Sequence, residues 1–178
     1  MNVIASGKKP AACAYRLIDS TEYSVLEDFL YGAIFIPEGV EPPPRDVIYS
    51  PTLRHYIKGF GKQGDICYVC VDDSKIVGAA WSRILDEPDN KGYGNVGAGV
   101  PELAMSVLPE SRGRGLGTEL LKRLHTALGE LGYKRISLSV QKANAALRLY
   151  ERCGYKVVKE QETDYIMVKR LWESEDVL

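Results

Sequence analysis

Apolar positions along this chain recur with two different periods. Leu116, Leu120, Leu124, Leu128 and Leu131 return every three or four residues, and Leu121 widens the stripe. That spacing predicts an amphipathic helix over 115–131, stopped by Gly132. Ile136, Leu138 and Val140 alternate with polar residues, which predicts a strand over 135–140. Three further strand-like runs precede the long helix, at 65–71, 75–85 and 101–108, and the first two are joined tightly at 72–74, as in a hairpin. A short strand at 14–18 is followed by Asp19 and Ser20, either of which caps a helix reaching about residue 33. A second, short helix is predicted over 52–58, after a loop at 37–51 stiffened by Pro42, Pro43 and Pro44, and glycines break it at 59–64. The C-terminal third adds a helix from Asn144 to Gly154 and strands at 156–159 and 165–171, with a turn near 162–164.

The order is strand, two helices, three strands, helix, strand, helix, two strands. Hairpins imply antiparallel pairs and helical crossovers imply parallel ones, so the fold class is α/β (α+β) with a mixed sheet. Residues 1–178 read as a single domain with a loose N-terminus at 1–13. The segment 86–99, with Gly92, Gly94, Gly97 and Gly99, is expected to be mobile and able to act as a lid.

A chain of 178 residues buries roughly 70% of its unfolded surface. With 45% hydrophobic and 26% charged residues its composition is that of an ordinary globular domain. A net charge of −1 gives no general attraction to nucleic acid or anionic lipid. The first ten residues have lysines but no apolar core, and no apolar run is long enough to span a bilayer. A cytoplasmic location without membrane attachment is therefore expected. Cys13, Cys67, Cys70 and Cys153 are too sparse for a disulfide scaffold and are expected to be free thiols. Cys67 and Cys70 form a C-x-x-C, but on a strand three residues apart they face opposite sides, which argues against a metal or redox centre. His55 and His125 have no partner at metal-ligand spacing and read as structural, so no metal is expected.

The chemically informative stretch is 106–118. A strand ends, a turn containing Pro109 follows, and Arg112, Gly113, Arg114, Gly115 and Gly117 lead into the long helix. Glycines let backbone N–H groups approach a ligand, and a helix N-terminus adds unpaired donors and partial positive charge. This is a site for a phosphorylated group, most naturally a pyrophosphate. The dinucleotide fingerprint fails because its third glycine would fall at Thr118, and no P-loop sequence is present.

The pattern Arg112-x-x-Gly115-x-Gly117, followed by Asn144, Leu149-Tyr150 and Gly154-Tyr155 in that order and spacing, resembles the GNAT superfamily of acetyl-CoA-dependent N-acetyltransferases. The resemblance covers about 70 C-terminal residues by motif and the N-terminal half only by element order. It implies a mostly antiparallel sheet of six or seven strands with about four helices, two splayed parallel strands, and acetyl-CoA as co-substrate. It places the pyrophosphate on the amides of Arg112, Gly113, Arg114, Gly115, Leu116, Gly117 and Thr118. The pantetheine arm would pair with the strand edge at Met105, Ser106 and Val107, as an added strand does. Asn144 would contact the CoA arm, cap its helix, or both. Tyr150 matches the family's general acid, which protonates the departing thiolate, although Ala146 and Leu147 on the same helix face also suit a core tyrosine.

Glu102 opens an otherwise apolar strand, where a carboxylate is unexpected, and many family members have a glutamate at this place. A primary ammonium has a pKa near 10, so a base must take a proton, directly or through water, and Glu102 is the candidate. Direct attack of the amine is expected, since Cys153 has no histidine beside it to support an acyl-cysteine. The acceptor pocket would lie between 31–45 and 86–99, where Glu38, Glu41, Asp86, Glu87 and Asp89 give an acidic rim suited to a cationic small-molecule, peptide or protein amine. Two other readings stand beside this one. One is a non-catalytic acyl-CoA sensor or scaffold, against which the pairing of Glu102 with Tyr150 speaks. The other is a nucleic-acid binder using Arg112, Arg114, Lys122, Arg123, Lys134 and Arg135, which lacks an aromatic platform. The family includes monomers and homodimers, and an apolar tail at Leu171 and Trp172 hints at an interface.

Overall fold

In the computed structural model, which describes residues 13–85, 87–88 and 91–171, seven strands form one sheet in the order β1-β2-β3-β4-β5-β7-β6. These are β1 (Ala14–Leu17), β2 (Ile66–Asp72), β3 (Lys75–Ile84), β4 (Pro101–Val107), β5 (Arg135–Gln141), β6 (Lys156–Glu160) and β7 (Asp164–Arg170). Every neighbouring pair is antiparallel except β4 with β5. That exception follows from connectivity, because β4 reaches β5 through the long helix α2 (Leu116–Glu130). The β2–β3 hairpin turns on Asp73 and Ser74, both in the left-handed region, as a two-residue hairpin loop demands.

The sheet is covered on both faces. Leu116, Leu120, Leu121, Leu124 and Leu128 of α2 pack with Cys70, Leu103, Ile136, Leu138, Val140, Tyr150 and Tyr155. The other face carries Leu26, Phe29 and Leu30 of α1 (Leu26–Ala33), with Ile48, Tyr56, Cys67, Val69, Ala79 and Trp81. Cys67 and Cys70 therefore lie in opposite cores, as their spacing on a strand requires, and all four cysteines are free. Leu131 does not join the stripe: α2 ends at Glu130, and Leu131 is 62% exposed just before left-handed Gly132.

Helices are fewer and shorter than the sequence suggests. The predicted first helix starts as a 3-10 segment, Ser20–Val25, under an Asp19–Glu22 capping box, and becomes α-helical only at Leu26. The predicted helix at 52–58 is reduced to one 3-10 turn, Arg54–Tyr56, and a further 3-10 segment, Arg45–Tyr49, lies inside the expected proline loop. The reason is visible in the hydrogen bonds. The carbonyls of His55, Lys58 and Gly59 accept from the Arg83 guanidinium, and that of Tyr56 accepts from Trp81 Nε1 at 3.0 Å. Donors from β3 thus replace the donors a longer helix would supply. Arg83 also pairs with Asp65 at 3.1 Å, with both side chains 6% exposed. Among the described residues there are three α-helices, the third being α3 (Leu147–Arg152), and none is long and apolar enough to cross a membrane.

At the far edge, β6 has all five residues exposed and a bulge between Val157 and Lys159. Trp172 and residues 1–12 lie outside the described residues.

Removing Asp65 leaves the buried Arg83 charge short of its counter-ion. Asp65→Ala is expected to cost about 3 kcal/mol in urea denaturation, typical of one partner lost from a buried pair.

Candidate active site

β4 and β5 share a single rung, Glu102 opposite Ser137, and beyond it the strands part. Leu108 N–H bonds back to the Val77 carbonyl at 2.9 Å, which fixes the alternation along β4. Ser106 turns its backbone to β3, while Met105 and Val107 turn theirs to the gap. The Ser106 hydroxyl donates to the Phe29 carbonyl at 2.7 Å, tying β4 to α1 on the face opposite α2.

The glycine loop follows at once. A 3-10 turn, Pro109–Ser111, ends the strand, and Gly113 and Gly115 adopt left-handed φ of 75° and 78° with open space where a Cβ would stand. Gly115 is the N-cap of α2 and offers no side-chain acceptor. Among the described residues, no backbone N–H from Gly113 to Thr118 has a hydrogen-bond partner. Six unpaired donors at the end of a 15-residue helix, with glycine carbon exposed, are what a pyrophosphate requires. At Gly117 a Cβ would lie 3.2 Å from both Met105 Cε and Leu149 Cδ2, so the strand edge, the loop and α3 meet there.

The arginine side chains are held by the protein itself. Arg112 Nε donates to the Val107 carbonyl at 3.0 Å. Arg114 pairs with Asp72 at 2.7 Å and lies 3.3 Å from the Cys13 sulfur. Arg123 pairs with Glu119 at 2.8 Å and stands over the Tyr15 ring. Asn144 accepts from Ala146 N–H at 2.9 Å, so it closes a turn just ahead of α3 rather than capping the helix directly.

Tyr150 lies on α3 in the α2-side core, with its ring edge-on to Tyr155 at 5.7 Å. Tyr155 in turn hydrogen-bonds His125 Nε2 at 2.9 Å. Burial drives the His125 pKa down to about 3, with Lys169 nearby adding to the effect, so the ring is neutral and structural. Burial also pushes the Tyr150 hydroxyl well above the usual tyrosine range, with a smaller contribution from Cys153, so it keeps its proton.

Glu102 is 3% exposed and sits on the opposite face from Leu103. Its Oε1 accepts from the Tyr56 hydroxyl and from Gly94 N–H at 2.7 Å, while the Tyr56 oxygen accepts from Tyr93 N–H at 2.9 Å. Oε2 is buried and unpaired. Burial raises the Glu102 pKa to about 7, although the Tyr56 and Gly94 donors pull it back. The segment at 91–95 is not a loose lid. A Cβ on Gly92 would overlap Glu102 Oε2, and one on Gly94 would come within 2.5 Å of the Leu138 carbonyl carbon. Asn95 Nδ2 also donates to the Leu85 carbonyl at 2.8 Å, so this stretch is a roof laid on β4 and β5.

The structure thus joins Met105, Val107, the loop at 112–118, Leu149 and Tyr150 on one side, and buries Glu102 on the other. Tyr56, Gly92, Gly94 and Ser137 belong to the Glu102 site and are absent from the sequence-based set. Glu38, Glu41 and Glu87 are exposed; Asp86 and Asp89 lie outside the described residues. Among the described residues no cluster of metal-ligating side chains occurs.

Comparison with known proteins agrees with this fold. The family described as "Acetyltransferase (GNAT) family" matches residues 31–155. A mycothiol acetyltransferase from Propionibacterium freudenreichii subsp. shermanii is 34% identical over 84 residues, 47% of this chain and 25% of that protein. The chain therefore spans about a quarter of that relative's length. The PaiA N-acetyltransferase of Thermoplasma acidophilum, solved with coenzyme A, superposes with a TM-score of 0.64 at 18% identity, covering 89% of this chain and 99% of that one. The yncA protein of Salmonella typhimurium, solved with acetyl-CoA, gives 0.61 at 20% identity, covering 92% and 96%.

Glu102 also links stability to pH. Its pKa is 4.5 ordinarily and about 7 when folded, so folding favours the protonated form. The stability this contributes is complete below pH 4.5 and is lost as pH rises through 7. Urea denaturation should show wild type losing about 3 kcal/mol relative to Glu102→Gln between pH 4.5 and 8.

Proposed function

The chain belongs to the GNAT acetyltransferase family, and from that premise we propose that it transfers an acetyl group from acetyl-CoA to a primary amine by direct attack. The observation that carries this is the row of unpaired N–H groups from Gly113 to Thr118 beside an open strand edge. These residues suit the group chemically: the amides of 113–118 would hold the pyrophosphate, and Met105 and Val107 would hydrogen-bond the pantetheine amides. When bound, the thioester supplies an activated acyl carbon to the amine.

The chain's own residues then manage protons. Tyr150 keeps its hydroxyl proton at physiological pH because burial disfavours the phenolate, so it is a donor to the leaving sulfur. Glu102, with a pKa near neutrality, is half ionised at pH 7 and can accept the proton the amine must lose. The Gly92 backbone over the buried Oε2 keeps a bulky amine from direct contact with that oxygen. Exposed Glu38, Glu41 and Glu87 support a cationic acceptor.

Purified protein with acetyl-CoA and a panel of polyamines, amino acids, aminoglycosides and short peptides should release free CoA thiol only when a suitable amine is present. Binding that raises the melting temperature without release for any amine would support the sensor reading instead. Tyr150→Phe should lower kcat by roughly 10²-fold or more while acetyl-CoA still binds. The kcat/KM profile of wild type should rise through pH 7, and Glu102→Gln should abolish that limb; an unchanged profile would remove Glu102 from the mechanism.

A further inference from the structure

All four cysteines are free thiols, and two of them meet. Cys70 of β2 lies directly opposite Tyr15 of β1, and Cys13 stands two residues before Tyr15. Alternation along an extended chain puts the three side chains on one face, and all three pack into the α2-side core. Diagonal neighbours across an antiparallel pair are within side-chain reach. Here the Cys70 thiol hydrogen-bonds with both Cys13 and the Tyr15 hydroxyl. The Cys13 sulfur also accepts from Arg114 Nη2 at 3.3 Å. Cys67 faces the opposite core, and Cys153 follows α3 beside Tyr150, Arg152 and Lys169, so neither has a second thiol beside it.

The two thiols differ in access. Cys70 is fully buried, and burial, together with the hydrogen bond to Cys13, pushes its pKa up to about 11. Cys13 is only half-buried. It also precedes Ala14, the first residue held in the β1–β2 ladder, so strand pairing does not fix its backbone. A diagonal pair stands about 7–8 Å apart between Cα atoms, and a disulfide spans up to about 7 Å. That small difference is one Cys13 is free to close.

We infer that Cys13 and Cys70 form a two-thiol site that reacts with low-molecular-weight disulfides, Cys13 as the attacking sulfur and Cys70 as the sulfur that displaces the adduct. The inference is independent of the acetyltransferase reading. In the first step the Cys13 thiolate attacks one sulfur of the small disulfide. A bond forms from Cys13 Sγ to that sulfur, the small S–S bond breaks, and one small thiolate leaves and takes up the proton Cys13 released. In the second step Cys70 Sγ attacks Cys13 Sγ. The Cys13–Cys70 bond forms, the mixed disulfide breaks, and the second small thiolate leaves and takes up the proton of Cys70. Two protein thiols are oxidised and one small disulfide is reduced to two thiols, so no other reactant is needed. Capping Cys13 removes its charge and its hydrogen bond, two of the influences that hold the proton on Cys70. The first step therefore prepares the second.

The test is to incubate the fully reduced, folded protein with oxidised glutathione, alkylate the remaining thiols, and map the peptides by mass spectrometry without reductant. Wild type should give one peptide pair linked through Cys13 and Cys70, with no glutathione on either. Cys70→Ala should stop at a glutathione adduct on Cys13. Cys13→Ser should slow the loss of the Cys70 thiol by about tenfold or more, because Cys70 has no access of its own. A lasting adduct on Cys13 with Cys70 still alkylated in wild type overturns the displacement, and that map needs no variant to fold. Loss of the Cys70 thiol at the wild-type rate in Cys13→Ser overturns the role of Cys13 as the attacking sulfur. A wild type in which both residues are recovered alkylated overturns the site.

Discussion

The parting of β4 from β5 after one rung is the constraint on which the rest depends. A parallel pair normally continues for several residues, and here Glu102 against Ser137 is all that is formed. Both faces of the junction are filled. Met105 and Leu149 both close on Gly117 in the first turn of α2, while the Gly92 to Gly94 backbone lies on Glu102 and on β5. The helix N-terminus is thereby delivered beside an unpaired strand edge, and a carboxylate is sealed at the apex. A gap of this kind comes from arrested sheet pairing more than from any single side chain.

The second support is the wrapping of the segment at 54–59 around Arg83. A buried guanidinium needs its donors satisfied, and one carboxylate cannot do so alone. The backbone carbonyls of His55, Lys58 and Gly59 supply the remainder, which sets the path of the chain and turns Tyr56 toward Glu102. The position of the Glu102 carboxylate is therefore inherited from an ion pair anchored on the neighbouring strand β3. Pro44, with φ of −54°, starts the 3-10 segment that leads into this stretch, and the Tyr31 hydroxyl fastens the Pro43 carbonyl at 2.7 Å.

Much of this was legible in the sequence. The period of the leucines in 116–128 announced α2, alternation announced β5, and glycine placement announced the turn with free N–H groups ahead of α2. These are local patterns, and local patterns survive folding when both the helix and its burial agree. What stayed hidden was long-range. Tyr56 lies 46 residues from Glu102 and carries no spacing signal. Ser137 alternates with Ile136 and Leu138 and so reads as solvent-facing, yet its face is roofed. Gly92 and Gly94 suggested freedom, whereas their lack of a Cβ serves close packing against side chain and backbone. The helix expected at 52–58 failed because propensity was overruled by β3 donors that no local window contains.

The exposed β6 edge has a bearing on how copies of this protein behave at high concentration. Val157 and Val158, 46% and 56% exposed, would make an adhesive border if the strand were straight. The bulge between Val157 and Lys159 breaks the regular ladder of donors and acceptors, and Lys156 and Lys159 add like charge along it. A second chain offered to this border finds neither a continuous register nor a neutral one, which is how native sheets discourage edge-to-edge fibril growth.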